Sequence, residues 1–420
     1  MNVWLLSDGE PLPGQADGRR MRSWMLADML AGRGHNVVWW ASTFSHHRKR
    51  VLYADDTELD VSRGLRLRLL ACGAYSRHAS VRRYLHHRRL GTRFRQVARR
   101  LAPPDVIVCA CPKIDMAFQA LHYARRHGIP IIIDVRDLWP ATYLEKFPPA
   151  LRPLARVVFA RDFSRARAVF QGADSLVSMS SGVLNWAARF GGRAETATDR
   201  VFYIGYQSEL ATADVPVPEY LDATKHKTIF SYVGAFGGSY ELDTICDVAS
   251  RLDAAGRSDI QFVLAGQGPR RDAVARRVKG LRNVTMPGWL DYPAVTQLLA
   301  HSHVALAPWN SVRDAMPNKV FEYLAAGLPL LSSLAGEMED VLAAWRAGYT
   351  YRPGDVDRLT ALVEQLADDA GARGAMAAQA RVLFRSRFQS SEIYAAYARH
   401  VEEVQAGATT EQSVSTTGHI

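Results

Sequence analysis

Asn318, Lys319 and Glu322 lie close together in the run Met316 to Pro329, and their types and spacing suit the binding of a phosphorylated ligand. Pro317 fits the first turn of a helix and Gly327 a stop just past its end. Between them Val320, Phe321 and Leu324 recur at helical spacing and pack inward, which leaves Lys319 and Glu322 to reach outward. A helix start presents unpaired backbone N–H groups and the positive end of a dipole, so it receives a phosphate. A carboxylate one turn further in accepts both hydroxyls of a ribose. An amphipathic helix with ordinary surface charges is the competing interpretation of the same string.

A second concentration of reactive types is Asp134-Val135-Arg136-Asp137-Leu138-Trp139-Pro140. It follows the apolar run Ile131-Ile132-Ile133, so its polar residues emerge at the carboxyl end of a buried strand, where open α/β sheets bind ligands. Two carboxylates and a guanidinium are costly to bury without a task. Asp137 is the first candidate to stand near reacting atoms and Arg136 the second; a strand-end salt bridge is the alternative. Glycines mark further places where a backbone turns tightly or approaches a ligand: Gly237-Gly238, Gly266-x-Gly268, and the stretch Gly9 to Arg22 that holds Gly18, Arg19 and Arg22. Those arginines suit a phosphorylated partner. Arg33 and His35 fit better as the end of a helix.

Taken together, these strings resemble the retaining glycosyltransferases of family 4 with the GT-B fold, whose nucleotide-sugar signature is an acidic residue, seven others and a Glu. Here the pair is Asp314 and Glu322, and Asp314 is shorter by one methylene than the usual first Glu. The resemblance implies that Glu322 holds the ribose, with Asn318 and Lys319 near the phosphates and Gly237, Gly238, Gly266 and Gly268 in loops around the donor. It places Trp289 in the loop that holds the base, where the ring either stacks on the base or plugs the core. Glu337 and Glu339 become candidates for the sugar hydroxyls, Asp137, Arg136 and Asp314 for the reacting centre, and Gly18, Arg19 and Arg22 for the acceptor side. Two departures stand out. Many members carry an Arg and a Lys-Gly pair where this chain has Gly237-Gly238-Ser239, which leaves Lys319, Arg270 or Arg136 to neutralise a diphosphate. Arg136-Asp137 also stands where relatives have His-Asp.

The elements needed to position these residues alternate in βα order. Val3–Leu6, Asn36–Trp40, Val106–Val108 and Ile131–Ile133 read as strands, with helices over Arg22–Ala31 and Met116–His127. A second series begins near Ile229, with strands at 230–233, 261–265, 283–286 and 304–307 and helices at 241–252, 272–279 and 292–300. The fold expected is α/β, two Rossmann-like doubly wound domains facing a central cleft. The acceptor domain is expected over 1–208 and the donor domain over 209–390. A closing helix over 391–405 would pack back on the first domain, and a disordered tail would span 406–420. At 420 residues the chain exceeds what one core usually supports, in agreement with two domains.

A formal charge of +10 asks for an acidic partner, and composition alone does not choose among nucleic acid, anionic lipid and phosphorylated substrate. Cations crowd between His46 and Arg100, interleaved with Tyr75, Val81, Tyr84, Leu85, Leu90 and Phe94, in the style of an interfacial helix on anionic lipid. Nucleic-acid signatures are absent. Cys72, Cys109, Cys111 and Cys246 match neither a disulfide framework nor a zinc site and read as reduced, buried thiols. No apolar run reaches membrane-spanning length, so the expected location is cytoplasmic and peripheral on the inner face of the cell membrane. No cofactor and no metal are expected. The function implied is transfer of a sugar from a nucleotide diphospho-sugar, UDP-linked, to a lipid-linked or oligosaccharide acceptor of bacterial surface polysaccharide. The rivals are a dinucleotide-dependent oxidoreductase or epimerase, whose G-x-G-x-x-G turn is missing at Ser7-Asp8-Gly9-Glu10, and a basic membrane- or nucleic-acid-binding protein.

Overall fold

The computed structural model describes residues 1–14, 20–46, 48–76, 80–145, 147–207, 216–310 and 316–417. The chain divides into two compact units, Met1–Tyr203 with Glu392–Ile420, and Ile204–Ser391.

The first unit contains β1 (Asn2–Leu6), α1 (Arg22–Gly32), β2 (Asn36–Ser42), β3 (Phe44–Ser45), β4 (Arg50–Val51), β5 (Thr57–Ser62), β6 (Leu65–Leu70) and α2 (Val81–Ala98). It continues through β7 (Val106–Cys111), α3 (Ile114–His127), β8 (Ile131–Val135), α4 (Ala141–Leu144), α5 (Arg152–Val158), α6 (Ala160–Gln171), β9 (Ser175–Ser178), α7 (Ser181–Gly191) and β10 (Arg200–Val201). Eight strands form one sheet in the order β10-β9-β8-β7-β1-β2-β6-β5. Its pairings are parallel except at the edge, where β5 runs antiparallel to β6. Strands covered on both faces must be apolar throughout, and every residue of β7, Val-Ile-Val-Cys-Ala-Cys, is buried. Strand order reverses between β7 and β1, which opens a crevice beyond their carboxyl ends.

The second unit contains α8 (Glu219–Asp222), β11 (Thr228–Val233), α9 (Asp243–Ala254), β12 (Ile260–Ala265), α10 (Arg271–Arg277), β13 (Val284–Gly288), α11 (Tyr292–His301) and β14 (Val304–Ala307). Then follow α12 (Asn318–Ala325), β15 (Leu330–Ser332), α13 (Glu337–Trp345), β16 (Gly348–Thr350), α14 (Val356–Asp368), α15 (Ala370–Leu383) and a π turn over Phe384–Phe388. Its six-stranded sheet, ordered β13-β12-β11-β14-β15-β16, is parallel, and its order reverses between β11 and β14.

The last helix, α16 (Ser390–Thr417), carries the chain back to the first unit. Ile393, Tyr394, Tyr397, Ala398 and Val401 join one core cluster with Val3, Leu5, Leu26 and Trp39, and the Tyr397 ring stacks on Phe202 with centroids 4.5 Å apart. The helix continues to Thr417, where the sequence suggested a disordered tail from 406. Extending a formed helix costs far less than starting one, which carries α16 past the weaker helix formers Gly407, Thr409 and Thr410.

A further correction concerns the basic region 46–100. Leu65-Arg66-Leu67-Arg68-Leu69 alternates at a strand's period and forms β6 inside the sheet. In α2 the face bearing His86, His87, Leu90 and Phe94 is buried, as is Tyr75 before it, so half of the apolar stripe belongs to the core, while Val81 and Leu85 at the helix start are exposed. All four cysteines are buried and unbridged. Among the described residues no helix is long and apolar enough to cross a membrane.

Candidate functional site

In the second unit the candidate donor residues gather beyond the carboxyl ends of β11, β12 and β14. α12 is fixed there by its buried face: Val320, Phe321, Tyr323 and Leu324 are all buried. Tyr323 ties the helix to β11, since the Val233 N–H donates to its hydroxyl at 2.8 Å and that hydroxyl donates to the Val233 carbonyl at 3.1 Å. Pro317 is the residue before the helix rather than its first, with extended backbone, and Asn318 and Lys319 open the first turn.

Lys319 is the most unusual group of the site. Its Nζ lies 3.8 Å from the ring centroid of Tyr240 and 4.1 Å from that of Tyr232, and it is sealed from solvent without a hydrogen-bond partner among the described residues. Burial pushes its pKa down to about 7, against a smaller opposing pull from Glu322. The ring faces soften the burial of the ammonium without supplying a counter-charge. A Cβ on Gly234 would strike this Nζ, so the absence of a side chain there makes room for it.

Glu322 is half-buried one turn on, and the Tyr206 hydroxyl donates to its Oε1 at 2.9 Å. Gly266 and Gly268 have φ of 142° and 155°, a region closed to side chains. A Cβ on Gly266 would collide with the Gly234 carbonyl and one on Gly268 with Phe236, so the loops after β11 and β12 lie backbone against backbone. Phe236 N–H donates to the Gln267 carbonyl at 2.9 Å across them. Gly237 and Gly238 have open space around them, and the Asn310 amide donates to the Gly238 carbonyl.

The remaining candidates in this unit divide. Trp289 is 68% exposed, which excludes its plugging the core. Glu337 begins α13 beyond the carboxyl end of β15 and is half-buried. Glu339, by contrast, lines a groove of about 650 Å³ with Arg346, Thr350 and Arg358, between α13, β16, α14 and α15. Arg270, a candidate for the diphosphate, is held by Asp243 at 2.5 Å. Asp314 lies outside the described residues.

In the first unit, Arg22 and Arg136 are both tied into ion pairs, which for Arg136 is the strand-end alternative. Arg22, expected to meet a phosphorylated acceptor, is 3% exposed and grips Asp134, with Nε 2.9 Å from Oδ2 and Nη2 3.0 Å from Oδ1. Its Nη1 donates to the Phe202 carbonyl at 2.6 Å. Arg136, expected beside the reacting sugar, donates to the same Asp134 at 2.8 Å, to Ser23 at 2.9 Å and to Glu10. Burial alone would raise the Asp134 pKa, but Arg136 and Arg22 outweigh it and hold the carboxyl below its ordinary value. Two cations share one buried carboxylate, and Glu10 supplies the second charge. Glu10 also accepts the Ser23 N–H at 3.0 Å and so satisfies one of the orphan donors at the start of α1. Asp137 is half-buried at the start of the loop after β8, where its Oδ1 accepts the Leu138 N–H at 2.7 Å. Gly18 and Arg19 lie outside the described residues.

A second cluster of this unit was missed from the sequence. Asp8 follows β1 and Lys113 follows β7, so the two side chains meet at the crevice where strand order reverses. Lys113 Nζ is 3.5 Å from Asp8 Oδ2 and donates to His87 Nε2 at 3.0 Å, which requires His87 to be neutral there. Burial, reinforced by Lys113, pushes the His87 pKa well down. Ser42 donates to Asp8 at 2.6 Å, and His86 Nε2 stands 3.9 Å from the same carboxylate. The signal was the position of Asp8 and Lys113 immediately beyond two strands; the histidines, two among many cations, carried none.

Residues 227–369 match the family described as glycosyl transferases group 1, and residues 18–198 match the glycosyl transferase 4-like domain. The alpha-D-kanosaminyltransferase of Streptomyces kanamyceticus is 23% identical over 292 residues, 66% of this chain and 71% of that protein. Matches to two further curated relatives take in only 33% and 52% of their lengths. Among solved structures, sucrose-phosphate synthase from Thermosynechococcus elongatus superposes with a TM-score of 0.73 at 16% identity, covering 97% of this chain and 99% of that one. Anabaena HepE in complex with UDP superposes with a TM-score of 0.66 at 14% identity, covering 96% and 100%. One family model falls on each unit, and between them they take in most of the chain, which therefore belongs to the group 1, family 4-like glycosyltransferases and has their GT-B fold.

Proposed function

We propose that this glycosyltransferase moves a hexosyl or N-acetylhexosaminyl group from a UDP-sugar to an acceptor hydroxyl with retention of anomeric configuration. The observation that carries the donor side is Lys319, an ammonium buried at the start of α12 with no hydrogen bond or ion pair among the described residues. Such a group is costly in the empty protein and becomes favourable once a diphosphate supplies the missing charge. The N–H groups of Asn318 and Lys319 add to it, and the half-buried Glu322 carboxylate takes the ribose hydroxyls beside its bond from Tyr206. UDP is the nucleotide held by the structurally similar HepE.

In the reaction the bond from the sugar C1 to the β-phosphate oxygen breaks and the bond from C1 to the acceptor oxygen forms on the same face. The acceptor proton passes to a leaving diphosphate oxygen. The protein's part is to stabilise the departing charge through Lys319 and the helix start and to hold both partners in place. Asp137, Glu337 and Asp314 are the proposed groups around the sugar, and Asp8 and Lys113 replace Arg22 as the proposed acceptor-side groups. A lipid-linked or oligosaccharide acceptor of bacterial surface polysaccharide fits the Asp134-to-Pro140 string and the basic charge of the chain. The test is thermal shift with UDP-, GDP- and dTDP-sugars on wild type and Glu322→Ala. A UDP-sugar shift that Glu322→Ala abolishes is expected; a wild-type shift and turnover in that variant refute the ribose role.

A further inference from the structure

Four aliphatic side chains stand in solvent on one short stretch of the first unit. Leu151, Leu154, Val157 and Val158 are 49%, 63%, 72% and 68% exposed, and their spacing puts Leu154, Val157 and Val158 on one face of α5 while Ala155 is buried on the other. A helix normally turns such a face to the core. The start of α2 extends the patch with Val81 and Leu85, since Tyr84 between them lies 6.4 Å ring to ring from Phe159 and donates to Asp162 at 3.0 Å. Around it stand Arg82, Arg152 and Arg156, all exposed.

Beside this patch is a small polar pocket of about 140 Å³ lined by Arg88, Arg95, Arg161 and Arg165, with Asp115 its one carboxylate. Arg165 is paired to Asp115, which leaves the balance of the pocket strongly cationic. Arg88 follows Leu85 by one helical turn, and Arg161 comes three residues after Val158, so pocket and patch adjoin. The volume suits a phosphate group, and guanidinium forks match phosphate oxygens in pairs.

We propose that the exposed face of α5 and this arginine pocket form a docking surface for an anionic phospholipid bilayer, the aliphatic side chains entering the acyl boundary and the pocket receiving a headgroup phosphate. A soluble polyanion would account for the arginines and leave the aliphatic face exposed. A second copy of the chain would cover the face but would bring Arg152, Arg156 and Arg161 against their own kind. An anionic membrane surface satisfies both the apolar and the charged parts. The basic stripe of α2 acts only through its first turns, because its remaining apolar side chains are in the core.

The test is co-sedimentation of the full chain with vesicles of phosphatidylcholine alone and with about one-third phosphatidylglycerol, for wild type, Leu154→Ser/Val157→Ser/Val158→Ser and Arg95→Glu/Arg161→Glu. Wild type should bind the anionic vesicles, and each variant should lose about tenfold or more in affinity, from lost apolar burial or reversed charge respectively. The changes sit at the surface, and an unaltered UDP-sugar thermal shift confirms that the fold and donor site persist. Equal binding of wild type to both vesicle types, or undiminished binding by the triple variant, overturns the proposal. So does self-association in solution that the triple variant abolishes. Lipid and donor binding are measured separately, so either can fail without the other.

Discussion

Lys319 sets its proposed function against stability at a single residue. Burial lowers its pKa to about 7 from an ordinary 10.5, so the sign of its effect on folding is fixed. Below pH 7 both folded and unfolded chains hold the proton and the folded state bears the full cost of burying it. Between pH 7 and 10.5 the unfolded chain binds more protons, so this group makes stability rise with pH across that window. Lys319→Met should therefore flatten the rise and stabilise the unliganded protein near neutral pH by about 1–3 kcal/mol, the scale of relieving an unpaired buried polar group. The same change should weaken UDP-sugar binding about tenfold or more, because a charge-assisted bond to phosphate is lost. Chemical denaturation across pH 6–10 and calorimetric titration check the two halves, and a less stable variant with intact affinity would contradict both. Proton uptake on donor binding near pH 8 is the companion signature, visible as a binding enthalpy that changes with the buffer's ionisation heat. The place of Lys319 at a helix start was legible in the sequence, but its burial between Tyr232 and Tyr240 was not. Those rings come from a strand and a loop remote in sequence, and no local pattern announces them.

At the scale of elements, the backbone contact between the loops after β11 and β12 positions the proposed donor side. Gly266→Ala should cost about 2–4 kcal/mol, since the added methyl both enters the space of the Gly234 carbonyl and occupies a φ of 142°. Because Gly234 also makes room for Lys319, the loss should extend to the donor-induced thermal shift. Gly237→Ala has open space around it and should change stability by about 0.5 kcal/mol or less. Urea denaturation of the two variants separates a packing role from a merely flexible one; equal effects would remove the distinction. The βα alternation that builds these loops was readable because parallel strands are apolar runs and helices keep a different period: β14 falls on Val304–Ala307 as its run of small apolar residues indicates. β5 and β6 were not recognised: in β6 Arg66 and Arg68 mask the alternating leucines that carry the structural signal, and β5 has only Leu59 and Val61 as apolar residues. Arg22 and Arg136 were ambiguous for a related reason. An arginine near a strand end serves a ligand or a buried carboxylate equally well by type, and only the structure shows both paired with Asp134.

On the scale of the whole molecule, the chain completes its first unit with its last helix. α16 contributes Tyr394, Tyr397, Ala398 and Val401, each at 1% exposure or less, to the core formed by β1 and β2 with α1. Outside that core Glu402 accepts from Arg33 Nη2 at 2.7 Å and from His35 Nε2 at 2.7 Å, so the residues that end α1 also fasten α16. The bonds from Arg33 and His35 hold the Glu402 pKa down at about 2, and the contribution of this pair, present above an ordinary 4.5, is lost as pH falls through 2. It is an exposed contact and a minor one. The apolar side chains decide the outcome. A chain ending after Ser391 lacks all of them and should leave the first unit without a stable core, seen as loss of its cooperative unfolding transition. The second unit, complete within Ile204–Ser391, should keep its UDP-sugar thermal shift in the same protein. A chain ending after Gln405 keeps every buried residue of α16 through Val404 and should melt within a few degrees of the full-length protein. Retention of both transitions after the longer truncation would mean that the first sheet folds without its C-terminal cover, and the assignment of α16 to that unit's core would have to be withdrawn.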